Sequence, residues 1–177
     1  MILSVDELKN QVECGELTDE KILFRLKSIE EVIRQYTHNN FQNRNVRFVA
    51  ESSGNRLIGS HSYFRVGDTI QISQSMVNDG LYEIQAVSDD YLTIDKDLFE
   101  RPFNKVTKIE YPADVVQCAI DLFEWKLNFG SKVGVKSESE TLSRHSESTT
   151  YEDSSTLFYG YPVGILKGLA KHMKARC

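Results

Sequence analysis

The sequence has few cysteines, no long apolar run and no familiar catalytic motif, and each absence argues against a class of protein. Its 177 residues include three cysteines, which lie far apart and form no CxxC pair. Such a set is poor evidence for a disulfide framework, so we expect a reducing compartment and a small, buried role for Cys118. No apolar stretch approaches the roughly 20 residues that span a bilayer, and the first residues lack the features of a signal peptide. We therefore expect a protein made in the cytoplasm with no membrane partner.

Motifs for catalysis and cofactor binding are also missing from the sequence. It contains no GxxxxGK[ST] phosphate loop, no GxGxxG opening a helix and no GxSxG nucleophile elbow. The four histidines share no metal-ligand spacing. Carboxylate pairs such as Asp89–Asp90 and Asp95/Asp97 fall where strands end, and turn chemistry explains them better than acid–base catalysis. We therefore predict that the chain is not an enzyme, with no catalytic residues, no cofactor and no metal.

The charge balance argues against a dedicated nucleic-acid binder. The chain has 21 basic and 26 acidic residues, a formal net charge of −5, whereas such binders usually carry a strong basic excess. A local basic patch is still compatible with this balance. Basic residues do gather near the C terminus, and there they either form a solvated face that complements a helix dipole or contact phosphates or an acidic protein surface.

Helical periodicity predicts four helices. Ser4 and Glu7 have the spacing of a capping box ahead of a short first helix. Apolar residues then recur every three or four positions with a charged opposite face, typical of an amphipathic helix. The third helix is apolar over a wide arc, which favours a place in a bundle or at a subunit interface. The four helices are expected to start near Ser4, Thr18, Pro112 and Pro162.

The periodicity changes to that of strands and turns between residues 44 and 110. Thr69–Ser73 alternates between apolar and polar residues, and Asn78-Asp79-Gly80 has the composition of a hairpin turn. Short strands at this spacing predict a small antiparallel sheet or half-barrel. We therefore predict an α+β fold, in which residues 1–43 and 111–177 form a small bundle of about four helices. Residues 44–110 would form an inserted antiparallel β subdomain.

Residues 134–156 form a polar arm rich in serine, threonine and glutamate, GVKSESETLSRHSESTTYEDSST. Such a segment cannot bury enough apolar surface to order itself alone. It is therefore either a flexible linker or a segment that pairs with neighbouring copies of the chain by strand addition. In the second case Leu142 and Tyr151 would supply its apolar anchors.

The order of these elements resembles the head–tail connector (adaptor) proteins of long-tailed bacteriophages. The likeness covers both helical ends of the chain and not the β-rich middle. It is carried by motifs in the third helix, in the arm and in the C-terminal segment. These motifs are Pro112–Val115 leading to Trp125, Gly134–Glu138, Glu140–Ser146, Gly160-Tyr161-Pro162 and Lys174-Ala175-Arg176.

The resemblance implies a virion structural protein assembled in the bacterial host cytoplasm. Such adaptors form a closed ring of about twelve copies under the portal protein and offer a platform to head-closure and tail proteins. The resemblance leaves room for non-specific contact with packaged DNA. It assigns the arm to contacts between subunits and the basic C-terminal segment to the portal. The arm residues are Val135, Leu142, Arg144 and Tyr151, and the portal-docking residues are Lys167, Lys171, Lys174 and Arg176.

Two other functions fit parts of the sequence. A head-closure (stopper) protein would suit the barrel-like strand region, although the flanking helices argue against it. A small nucleic-acid-binding assembly or regulatory protein would use the basic last helix, and steeply salt-dependent DNA binding would favour it.

Overall fold

The computed structural model describes residues 1–59, 61–130, 137–142, 145–150 and 157–175. For residues 137–142 and 145–150 it describes the backbone alone. The chain divides into two compact units. The first, the barrel unit, contains Met1 and Asn39–Tyr111. The second, the helical unit, contains Ile2–His38 and Pro112–Cys177.

Six antiparallel strands close into a barrel in the first unit. In space their order is β1-β2-β5-β4-β3-β6, and pairing of β1 with β6 closes the sheet. Along β3 the two isoleucines, Ile70 and Ile72, are buried while their neighbours are partly exposed, as the alternating sequence predicts. The strands are β1 (Gln42–Ser53), β2 (Arg56–Ile58), β3 (Thr69–Ser73), β4 (Gly80–Val87), β5 (Tyr91–Ile94) and β6 (Arg101–Ile109).

Inward-facing aliphatic side chains from all six strands fill the barrel. β3 and β5 each contribute two alternate residues to this cluster and the other strands one each, which is the pattern of a filled small barrel. Phe64, in the connection from β2 to β3, and Leu98, after β5, complete it. The strand residues of this core are Ala50, Leu57, Ile70, Ile72, Ile84, Leu92, Ile94 and Val106.

A buried polar network holds the loops at one end of the barrel. The Asn78 amide nitrogen donates to Phe99 O (2.8 Å), Asn104 Oδ1 (3.0 Å) and Ser52 Oγ (3.3 Å). The Asn78 oxygen accepts from the Phe99 N–H (2.9 Å). Asn104 in turn donates to Ala50 O (3.1 Å). Ser52, Asn78 and Asn104 are all buried, so the network substitutes for the water that these polar groups lose on folding.

The described part of the helical unit contains two long helices and two short ones. They are α1 (Val5–Lys9), α2 (Asp19–Thr37), α3 (Ala113–Phe129) and α4 (Val163–Leu166), and a 3-10 segment, Lys167–His172, follows α4. The capping box is confirmed: the Glu7 N–H donates to Ser4 Oγ (3.2 Å), and the Ser4 N–H donates to Glu7 Oε2 (2.9 Å). The amphipathic stripe of α2 is also confirmed, because Ile22, Leu26, Ile29 and Ile33 are fully buried.

Two small sheets also belong to the helical unit. β7 (Ser137–Leu142) pairs with β8 (His145–Thr150), and β9 (Leu157–Phe158) pairs with β10 (Tyr161–Pro162). Both are two-stranded and antiparallel.

The predicted fold class, a helical bundle with an inserted β subdomain, is wrong. The structure has a closed six-stranded antiparallel β-barrel with four helices, of which α1 and α4 have five and four residues. The strand-rich region forms more than the predicted open sheet or half-barrel, because the bulged pairing of β1 with β6 joins its two ends. The six strands therefore form a closed barrel with its own hydrophobic core.

The predicted last helix is also largely absent. From Val163 only four residues are α-helical before the chain tightens into the 3-10 segment. Gly164 and Gly168 explain this, because each glycine costs a helix about 1 kcal/mol relative to alanine. The predicted portal-docking lysines therefore do not lie on one continuous amphipathic α-helix.

Candidate assembly interface

The polar arm contains a two-stranded hairpin that forms a sheet of its own. Its register runs from Ser137 opposite Thr150 to Leu142 opposite His145. Among the strands that the structure describes, β7 and β8 pair with each other alone. Two open edges therefore present backbone N–H and C=O groups to a further strand. An isolated two-stranded hairpin is marginally stable in water.

The structure locates one of the four predicted arm residues. Leu142 is the last residue of β7, where it pairs with His145 of β8. Val135, Arg144 and Tyr151 lie outside the described residues.

Three of the four predicted portal-docking residues lie on or just after the 3-10 segment. Lys167, Lys171 and Lys174 are exposed, and Arg176 lies outside the described residues. The backbone N–H of Lys174 donates to the carbonyl oxygen of Thr37 at 2.9 Å. This bond places the residues after the 3-10 segment against the end of α2 and leaves the lysine side chains exposed.

Asp114 ties the 3-10 segment to the start of α3. One of its carboxylate oxygens lies 2.7 Å from His172 Nε2 and 3.1 Å from Lys171 Nζ. The hydrogen bond from His172, followed by that from Lys171, lowers the pKa of Asp114 to about 2. Asp114 also lies in the first turn of α3, where the helix dipole favours a negative charge. The positive charge of Lys171 is therefore partly neutralised by a carboxylate of the same unit.

We expect Asp114→Asn to lower the melting temperature at pH 7 and to have progressively less effect from pH 4 to pH 2. The pKa of Asp114 falls from 3.8 to about 2 on folding. The ionised carboxylate therefore stabilises the folded state above about pH 4, and this contribution is lost as the pH falls through 2. Scanning calorimetry at pH 7, 4, 3 and 2 measures the melting temperatures of the variant and the wild-type chain.

The control is Asp121→Asn, because Asp121 accepts a hydrogen bond from the neutral Gln117 in the same helix. If Asp114→Asn lowered the melting temperature equally at every pH, the lowered pKa of Asp114 would not stabilise the folded state.

A groove on α2 combines an exposed aromatic ring with a buried cationic nitrogen. It has a volume of about 370 Å³ and is lined by Leu17, Glu20, Lys21, Phe24 and Arg25. The Phe24 side chain is 76% exposed. The Arg25 Nη1 atom is buried and has no hydrogen-bond partner in the described part of the chain. A single exposed aromatic side chain is common on protein surfaces, whereas a buried polar atom without a partner is rare and calls for an explanation.

The reactive side chains that the structure describes do not assemble into a recognisable catalytic or metal site. Burial raises the pKa of the Cys118 thiol to about 12 and also raises the pKa of Cys14. A thiol with a raised pKa is a poor nucleophile because the thiolate is the reactive form. No group of three His, Cys, Asp or Glu side chains that could hold a metal ion occurs among the described residues. Likewise, none of the helices in the described ranges is long and apolar enough to cross a membrane.

The chain matches no known protein-family model and no curated protein sequence. Its function must therefore be argued from its own residues.

The groove at Phe24 and Arg25 is a surface feature that sequence reasoning missed. A signal for it was present, because Phe24 interrupts the charged face of α2 and lies beside the buried positions Ile22 and Leu26. One exposed aromatic residue on a helix is too common a feature to mark a contact surface by itself. The groove and the unsatisfied Arg25 nitrogen supply the additional evidence.

Proposed function

We propose that this chain is a structural subunit of a tailed-bacteriophage virion, a ring-forming head–tail connector between the portal protein and the head-closure and tail proteins. One observation carries the proposal: the hairpin β7–β8 has two open edges in the described chain. Along the sequence, the hairpin lies between α3 and the exposed C-terminal lysines. The resemblance of the arm and of Gly160-Tyr161-Pro162 to the connector proteins supports the same function.

A closed ring suits this hairpin because each copy meets the next through two different surfaces. The hairpin of one subunit would add its open edge to a neighbour, satisfying backbone groups that the isolated hairpin leaves unpaired. The exposed Phe24 ring offers a neighbour an apolar contact on α2.

The exposed C-terminal lysines would contact the portal. Lys167 and Lys174 belong to no salt bridge in the described ranges. Lys171 is 67% exposed although it is paired with Asp114. All three keep their ammonium groups accessible to an acidic partner surface, where rim charges chiefly govern the association rate and its salt dependence.

The hairpin is tested by Leu142→Asp, which we expect to reduce the fraction of subunits in rings at least about tenfold. A loss of about 1.4 kcal/mol per contact already gives this factor, and a ring repeats the contact at every interface. The chain is co-expressed with the portal protein of the same genome, and rings are counted by negative-stain microscopy and mass photometry.

The matched control is Val66→Asp, because Val66 is 64% exposed in the loop from β2 to β3. It should leave ring formation intact, and both variants should keep the wild-type melting temperature as monomers. Absence of rings from the wild-type chain, or equal ring formation by the two variants, would refute the proposal. A large loss of monomer stability in Leu142→Asp would place Leu142 in the core of the subunit and remove the hairpin argument.

A further inference from the structure

The outer surface of the barrel carries a groove lined entirely by basic and uncharged polar residues. Its volume is about 310 Å³. The described residues that line it include three cationic side chains and no carboxylate, in a chain whose formal net charge is −5. Its lining is Gln42, Arg44, Arg47, Ser73, Lys105 and Thr107.

Strand register brings these residues together from three strands. Arg47 of β1 pairs with Thr107 of β6, and Lys105 of β6 pairs with Ser73 of β3. Between Asn43 and Arg47 the register of β1 shifts against β6, which is a bulge. The bulge inserts Arg44 beside the regular ladder, so both arginines reach the same groove.

The edge of the groove is held by amide hydrogen bonds. Gln42 Nε2 donates to Gln71 Oε1 at 2.9 Å, and Asn40 Nδ2 donates to the same oxygen at 3.2 Å. Within the bulge, the Asn45 N–H donates to Asn43 Oδ1 at 3.0 Å. The first two bonds fix the Gln42 side chain and the third orders the backbone of the bulge beside Arg44, which pre-organises this edge of the groove for a ligand.

The three cations have no carboxylate partner within the part of the chain that the structure describes. Among the described residues, none of Arg44, Arg47 and Lys105 lies within salt-bridge distance of a carboxylate. The nearby Glu110 carboxylate accepts a 2.6 Å hydrogen bond from Asn43 instead. Three cations placed around one groove repel one another, and a bound anion relieves that repulsion.

We propose that this groove binds a phosphoryl oxyanion. The two guanidinium groups supply forked donors that match phosphate oxygens, and Lys105 adds a compact positive charge. Ser73 and the buried Thr107 add hydroxyls to the lining. The Ser73 hydroxyl donates to the Lys105 carbonyl oxygen at 3.5 Å, a long bond that it would exchange for one to the ligand. The phosphoryl group has two sources with the same chemistry, the phosphodiester backbone of a nucleic acid and a free phosphate or nucleotide. The site is independent of ring formation and is measurable on the isolated chain.

The experiment compares a groove variant with a charge-matched control. The groove variant is Arg44→Gln with Arg47→Gln, and the control is Arg65→Gln with Lys96→Gln, two exposed cations elsewhere on the barrel unit. Binding of a fluorescent 20-base-pair duplex is followed by anisotropy from 25 to 200 mM salt. Binding of inorganic phosphate and pyrophosphate is followed by calorimetry. Thermal melts verify that both double variants remain folded.

We expect the groove variant to lose at least about tenfold in affinity and the control to lose less than about threefold. If the source is a nucleic acid, the slope of log affinity against log salt should also fall by about two for the groove variant, since each lost phosphate contact removes about 0.9. Loss of duplex binding alone identifies the phosphodiester backbone, and loss of phosphate binding alone identifies a free anion. Equal losses in the two double variants would overturn the proposal, as would a wild-type chain that binds neither ligand.

Discussion

Replacing Asn78 with leucine should lower the free energy of unfolding of the barrel unit by about 3 kcal/mol or more. The Asn78 side chain donates to the Phe99 carbonyl at 2.8 Å and accepts from the Phe99 N–H at 2.9 Å. It also donates to Asn104 Oδ1 and Ser52 Oγ. Leucine has nearly the same size and makes none of these bonds. Several buried polar groups would then lose a partner, each at a cost of about 1–3 kcal/mol.

The measurement for Asn78→Leu is urea unfolding combined with amide hydrogen exchange. Exchange at Phe99 should accelerate most, because its N–H loses the acceptor that protects it. Asn45→Leu makes the same chemical change at an exposed position of β1 and should alter stability by less than about 0.5 kcal/mol. A loss below about 1 kcal/mol for Asn78→Leu would mean that water replaces the amide, and that the network is not sealed from solvent.

The second large effect should come from Phe123→Ala, which we expect to destabilise the helical unit by about 3–5 kcal/mol. Phe123 lies in α3 and is fully buried, as are Leu26 and Ile29 of α2. Truncation removes the apolar contacts of the ring and leaves a cavity, because neighbouring helices relax only partly into the space. Thermal unfolding and chemical denaturation both report the change.

Phe24→Ala is the matched control for Phe123→Ala because it removes the same ring from a helix of the same unit. Phe24 is 76% exposed, so the monomer should keep its melting temperature within about 1–2 °C. If the α2 groove contacts a neighbouring subunit, Phe24→Ala should instead reduce ring formation. Similar destabilisation of the monomer by the two variants would show that Phe24 is buried in solution.

Local features of the fold could be predicted because they depend on residues close together in the sequence. The Ser4–Glu7 capping box needs three residues of helix, and the stripe of α2 needs one repeating side-chain period. The alternation in Thr69–Ser73 likewise marks a strand with one buried face. The composition of Asn78-Asp79-Gly80 predicted a turn, although the connection from β3 to β4 covers all of residues 74–79.

Features that depend on distant residues could not be predicted. The α2 groove is an example, because the burial of the Arg25 nitrogen depends on the packed unit and not on its neighbours in sequence. The basic barrel groove is another, because Arg44, Ser73 and Lys105 are far apart in the chain and meet through the register of three strands. The open edges of β7 and β8 also become evident from the sheet topology alone.

The sequence by itself determined the local elements: where α2 and α3 run, where strands alternate with turns, and that residues 134–156 are too polar to form a core. The tertiary structure alone decided that β1 pairs with β6 to close a barrel and that Asn78 and Asn104 are buried. It also decided that three cations share one groove. The physical reason is the range of the interactions. Propensity and periodicity act over a few residues, whereas barrel closure, burial and charge clustering depend on pairings between strands that the sequence pattern does not specify.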